Sequence, residues 1–193
     1  MLNQPAVLTP TAVHALVRRF YDPFRDGDDA AFDDVLAPEW RNDPADPRGG
    51  DARAAMRANV AAIRAALPDL THEQEAVVVE SMSGGGALAA VRSRLVGTHR
   101  GAFLGVEPTG RAVVLRTMDM HRIAPDSRIV ETWHLEDFFG LLRQLGAGGT
   151  IHGRRALVTP AQSADRSRVL PCTHRPARDL PAVDPAENRN RTL

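Results

Sequence analysis

The 193 residues hold a single cysteine, Cys172, which excludes an intrachain disulfide and any zinc cluster built from several thiolates. Excess charge is missing too. Lys and Arg together number 24, as do Asp and Glu, so nothing in the overall charge draws the chain to nucleic acid or to an anionic membrane. The basic residues form no aromatic-interleaved stripe of the kind that binds RNA or DNA. No apolar run approaches the ~18 residues of a membrane helix, and the first twenty residues lack the basic-then-apolar order of a secretory leader. The expectation is a soluble cytoplasmic protein. P-loop, Rossmann glycine fingerprint and HExxH pair are absent as well.

What is present begins with helices. In "TPTAVHALVRRFYDPF" Thr9 offers an N-cap, Pro10 suits the first helical position, and Val13, Leu16, Val17 and Phe20 form an apolar stripe. Pro23 should end or kink this helix. A short second helix is expected between Asp28 or Asp29 and Leu36, closed by Pro38. "PEWRNDPADPRGG", with three prolines and a glycine pair, reads as a loop. A third helix, roughly Asp51 to Leu67, aligns Met56, Val60, Ile63 and Leu67 on one face.

Strands follow. "EQEAVVVESM" and "ALAAVRSRLVGTH" flank "SGGG", and "RAVVLRTMDMHRIA" and "RIVETWHLEDF" flank "PDS", giving two hairpins. "FFGLLRQLG" closes the series as a short helix ending at Gly146. Helices, then four antiparallel strands, then a helix predict an α+β fold with helices packed on one face of a curved sheet. From Ala147 the chain carries five prolines and eight arginines against four acids. The predicted division is therefore a domain at 1–146 and an Arg/Pro-rich, disordered tail at 147–193, either passive or a partner-binding arm.

The second hairpin concentrates the polar chemistry. With its turn centred between Asp126 and Ser127, Asp119 lies opposite His134, Thr117 opposite Glu136, and His121 opposite Thr132. Opposed Cβ atoms stand about 4.5–5.5 Å apart, close enough for a carboxylate to orient an imidazole. A slip of one residue would instead pair Asp119 with Trp133 and turn His134 to the other face. Glu131, Glu136 and Asp137 read as solvent-facing or as caps, with Asp137 the N-cap of the last helix. Asp126 reads as turn chemistry, and His121 as a rim or surface residue. His99 either orders the loop after its strand or touches ligand.

The phrases "GTHRGAFLGVEPTGRAVVLRTMDMHRI" and "RIVETWHLEDFFGLLRQLG", with "APEWRN" and "IRAALPDLTHE" upstream, resemble the SnoaL-like polyketide cyclase and ester cyclase family. The resemblance spans roughly residues 10–146. It implies a cone-shaped α+β barrel with one deep apolar cavity, which would hold a polycyclic, carbonyl-rich small molecule. It also implies intramolecular aldol closure by general acid/base catalysis with no metal or organic cofactor, and a homodimer formed through the open face of the sheet. Where the best-studied cyclases carry Asp after the tryptophan of the last strand, this chain has His134. An imidazole titrates near neutrality and can still move protons. His134 is thus expected as the proton shuttle, with Asp119, placed by the hairpin register, as its orienter; the resemblance adds Tyr21 and Asn42 as substrate contacts, and His99 and Trp133 are further candidates to touch the substrate. Hydroxylation-assisting, dehydratase or isomerase chemistry in the same cavity, or a non-catalytic binding or dimerisation module, are the competing expectations.

Overall fold

The computed structural model describes residues 8–47 and 49–147; the expected tail lies outside the described residues from position 148 onward. Helix α1 (Pro10–Phe20) starts where Thr9 Oγ1 accepts the Ala12 amide at 3.2 Å, and it buries Val13, Val17 and Phe20. Pro23 has no N–H to offer the turn before it, so α1 stops and a single new turn, α2 (Asp22–Arg25), begins. Tyr21 sits at this break and is driven into the interior, 3% exposed. Helix α3 (Ala30–Val35) adds Phe32, whose ring meets Phe20 edge-on at 5.6 Å. Burying each such ring contributes roughly 2–3 kcal/mol.

The segment read as a loop is partly a strand. β1 (Leu36–Asp43) runs parallel to the last strand at one edge of a five-stranded sheet ordered β1-β5-β4-β3-β2. Its proline hid it. Pro38 is tolerated because an edge strand needs only one ladder, and the pairing is interrupted between Leu36 and Arg41. The sheet is therefore mixed: four strands in antiparallel order plus one parallel edge strand.

Helix α4 (Ala52–Ala66) is capped by Asp51, whose carboxylate accepts the Arg53 amide at 2.8 Å. Its buried residues Met56, Val60, Ile63 and Ala66 belong to the same core as those of α1 and the sheet. Strands β2 (Thr71–Ser81), β3 (Ala87–Thr98), β4 (Ala112–Ile123) and β5 (Ile129–Glu136) follow, and α5 (Phe138–Leu145) ends at Gly146 with φ 81°. Asp137 caps α5 through the Gly140 amide at 2.8 Å.

The β4–β5 register places Thr117 opposite Glu136, Asp119 opposite His134 and His121 opposite Thr132. Next to the turn the register shifts by one beyond Arg122, where Ile123 pairs with Ile129. Inward side chains are thus the odd positions of β3 and β4 and, within the paired stretch, the even positions of β5.

Candidate active site

Between the sheet's inner face and the helices lies a cavity of about 280 Å³. Its apolar wall includes Phe20, Phe24, Met56, Ile63, Leu95 and Phe138; its polar lining is concentrated at Tyr21, His72, Thr117, Asp119, Thr132, His134 and Glu136, with Asn59 from α4 the one further polar residue. Strand periodicity explains the polar wall: Thr117 and Asp119 alternate along β4 while Thr132, His134 and Glu136 alternate along β5.

The couple that faces across the strands is not one hydrogen-bonded pair. Asp119 Oδ2 accepts the Tyr21 hydroxyl at 2.7 Å and the Thr117 hydroxyl at 3.3 Å. His134 Nδ1 instead meets Glu136 Oε1 at 2.7 Å, and its Nε2 lies 3.0 Å from the Asn42 amide and 3.4 Å from the Pro44 carbonyl. Glu136, expected in solvent or at a cap, is therefore the carboxylate that orients His134. Among the described residues Asp119 Oδ1 makes no hydrogen bond, which leaves it open to the cavity.

Burial and neighbours make both groups more basic, for different reasons. Loss of water raises the Asp119 carboxyl from 3.8 to about 6, with Tyr21 donation pulling it back and the Glu136 charge pushing it up. Hydrogen bonding to Glu136 raises His134, against its partial burial. Desolvation, then the Asp119 charge, holds the Tyr21 phenol well above its ordinary value. His72 stacks on the Tyr21 ring at 4.1 Å and 12°; burial and the nearby Arg25 charge lower it to about 4, so it stays neutral.

Three expected positions are corrected. His121 is no rim residue: it is fully buried, Nε2 3.3 Å from the Tyr21 hydroxyl and Nδ1 3.0 Å from Thr132 Oγ1. His99 does not line the cavity. It is 1% exposed, and its Nδ1 accepts the Thr109 amide at 3.2 Å, so it closes the loop between β3 and β4. Trp133 points to the opposite face, because odd positions of β5 face outward there; it borders an outer groove with Met118, Met120 and Leu135. Asn42 reaches His134 from β1 without itself lining the cavity. The sequence reading missed His72, which no pairing pattern singles out.

Among the described residues, no group of three or more His, Cys, Asp or Glu is placed to hold a metal ion, and no helix is long and apolar enough to cross a membrane. Helices packed over a curved five-stranded sheet, with a cavity whose polar residues gather on the sheet side, define an α+β cone protein. Residues 15–145 match the SnoaL-like polyketide cyclase family. The chain belongs to that family. TsrD from Streptomyces laurentii superimposes with a TM-score of 0.64 at 29% identity, covering 72% of this chain and 98% of that one. IdmH from Streptomyces antibioticus, a proposed polyketide cyclase, gives 0.57 at 28% identity over 69% and 98%. AclR from Streptomyces galilaeus, a proposed hydroxylase, gives 0.60 over 72% and 87%, and at 23% identity it shares the fold alone. No curated protein matches the chain.

Proposed function

We propose that this protein is a cyclase that closes a ring in a carbonyl-rich, polyketide-like small molecule by cofactor-independent aldol chemistry. The observation that carries the reading is the Asp119–His134 pair, opposed across β4–β5 on the cavity wall, a carboxyl and an imidazole both made more basic by their surroundings. Above about pH 6 Asp119 is a carboxylate able to accept a proton, and the bond to Glu136 lets His134 keep a proton to give up to higher pH than a free imidazole. Asp119 Oδ1 takes the acidified C–H proton. The proton on His134 Nε2, which faces the Pro44 carbonyl in the free protein, stabilises the enolate oxygen; the enolate carbon attacks the internal carbonyl, and the new alkoxide receives that proton. Solvent then returns the proton from Asp119 to His134.

This assigns the proton-abstracting role to Asp119 rather than to His134, whose partner is Glu136. Tyr21 holds Asp119 and does not bind substrate through its hydroxyl. The 193 residues include no lysine, so an iminium on a lysine amine is not a route to the carbanion. The apolar wall formed by Phe20, Phe24, Met56 and Phe138 suits a flat, largely unsaturated substrate.

The test is exchange of the acidic C–H of an aromatic β-keto ester probe in D₂O, followed by NMR. Wild-type protein accelerates it. Asp119→Asn should abolish that acceleration and His134→Gln should weaken it about 10²-fold or more. Acceleration at the wild-type rate in both variants refutes the reading.

The outer sheet face supports a homodimer as the working form. Val78, Ala90, Met120 and Trp133 lie in one cross-strand row, and Val78 and the neighbouring Leu135 are 67% and 74% exposed. A second copy of the chain is the natural cover for such a face. Leu135→Lys should then halve the mass measured by light scattering, and an unchanged mass refutes the dimer.

A further inference from the structure

The catalytic reading leaves the buried imidazole of His121 unused. His121, fully enclosed, lies in a row of side chains whose contacts run Trp40 Nε1 to Thr132 Oγ1 at 3.0 Å and Thr132 Oγ1 to His121 Nδ1 at 3.0 Å. The row continues from His121 Nε2 to the Tyr21 hydroxyl at 3.3 Å and from that hydroxyl to Asp119 Oδ2 at 2.7 Å. All five side chains are 9% exposed or less.

The direction of each bond follows from what each group can do. A carboxylate only accepts, so Tyr21 donates its one proton to Asp119 and its oxygen is left to accept. His121 is neutral, because burial, helped by the His134 charge, lowers it to about 3. One ring nitrogen therefore carries a proton, and it must be Nε2, which faces the Tyr21 oxygen. Nδ1 is then an acceptor and takes the Thr132 hydroxyl proton. Trp40 can only donate, and it fills a lone pair on Thr132. Every donor in this sense has an acceptor. The opposite sense is open only when Asp119 is protonated, and it leaves the Thr132 proton with no acceptor among the described residues.

We propose that Trp40, Thr132 and His121 are positioning residues, a one-way hydrogen-bond chain that fixes His121 as its Nε2–H tautomer, aims the Tyr21 hydroxyl at Asp119 and so sets the basicity of that carboxylate. The importance of the chain to turnover rests on Asp119 being the base, but its existence does not. Each link polarises the next, by about 10–30% per bond, so a cut two residues away reaches the carboxylate. The charged and titratable groups that also face Asp119 are Tyr21 from the break between α1 and α2 and His134 and Glu136 from β5. His72 from β2 lies behind the Tyr21 ring.

The experiment is NMR of the full chain with ¹⁵N-labelled histidine and ¹³C-labelled aspartate carboxyl groups. The expected result is Nε2–H on His121 at pH 7.5, and an Asp119 midpoint that rises by about 0.3–0.5 unit in Thr132→Val and by more in Tyr21→Phe. Trp40→Phe, which keeps the Thr132 hydroxyl, serves as the second variant and should give a smaller rise. A His121 ring found as Nδ1–H overturns the proposal. So does an Asp119 midpoint that stays put in both Thr132→Val and Trp40→Phe. If these shifts occur while Asp119→Asn still accelerates exchange, the chain stands and the catalytic reading falls.

Discussion

Asp119→Asn should stabilise the fold, and by an amount that grows with pH. The folded carboxyl titrates near 6 against an ordinary 3.8. A group whose folded pKa is raised contributes its stability below the unfolded value, and that contribution is lost as pH rises through the folded one. For Asp119 the loss runs from pH 3.8 to about 6 and is complete above it. At about 1.4 kcal/mol per unit, the full penalty is roughly 3 kcal/mol at pH 8 and about half that at pH 5. Asparagine cannot ionise, and its side-chain oxygen can still accept the Tyr21 hydroxyl. The variant should therefore gain about 1.5 kcal/mol over wild type between pH 5 and pH 8. Any constant offset from the new amide cancels in that difference. The assay is urea unfolding of both proteins at the two pH values, with ΔG extrapolated at a common m-value. A gap that is equal at both pH values, or that shrinks toward pH 8, refutes the claim that a buried carboxylate is being held ionised against its surroundings.

Three further outcomes follow from the same geometry. His121 and His72 are lowered to about 3 and about 4, so their stability is present above pH 6.5 and lost as pH falls; their contribution to the unfolding free energy should decline from pH 6.5 down to about 3, by several kcal/mol in all, and His121→Gln should flatten that decline in urea unfolding. Glu136→Gln removes the main cause of the raised His134 pKa, so the alkaline limb of the exchange-rate profile should move down toward 6.5, whereas an unmoved limb would exclude His134 as the proton donor. A Cβ added at Gly101 would collide with the Ala65 carbonyl at the end of α4, so Gly101→Ala should lower stability by about 2 kcal/mol or more, as measured by thermal unfolding.

Much of the fold was legible because period and punctuation agree. Thr9, Pro10, Asp51, Asp137 and Gly146 bound their helices through groups that can be named from sequence alone. β1 was not legible, since its proline and its flanking "DPADPRGG" outweigh eight residues whose strand character comes from pairing with distant β5. In the site, counting outward from the turn brought Asp119, His134, Glu136, Thr117, His121 and Thr132 to one face. Counting does not say which neighbours bond, and there the reading failed. Glu136 reaches its i−2 neighbour His134 on the same strand, a contact that depends on side-chain length. Asp119 is drawn the other way by Tyr21, 98 positions distant in sequence. Trp133 was misplaced because aromatic character says nothing about which side of a pleat a residue occupies.

The loop closed by His99 has a consequence for how this cavity can change. Its two ends are tied down: the His99 and Gly110 amides pair with Arg111 and His99 carbonyls, and the Arg100 and Gly101 amides share the Ala66 carbonyl. The span between them bears Phe103 and Leu104, which line the cavity, and a tight Phe103–Val106 bridge. Rewriting that span would retailor the mouth while the frame holding Asp119 and His134 stayed untouched. Descendants of this chain could trade one guest molecule for another at a single hinge-free cuff, without renegotiating the chemistry beneath it.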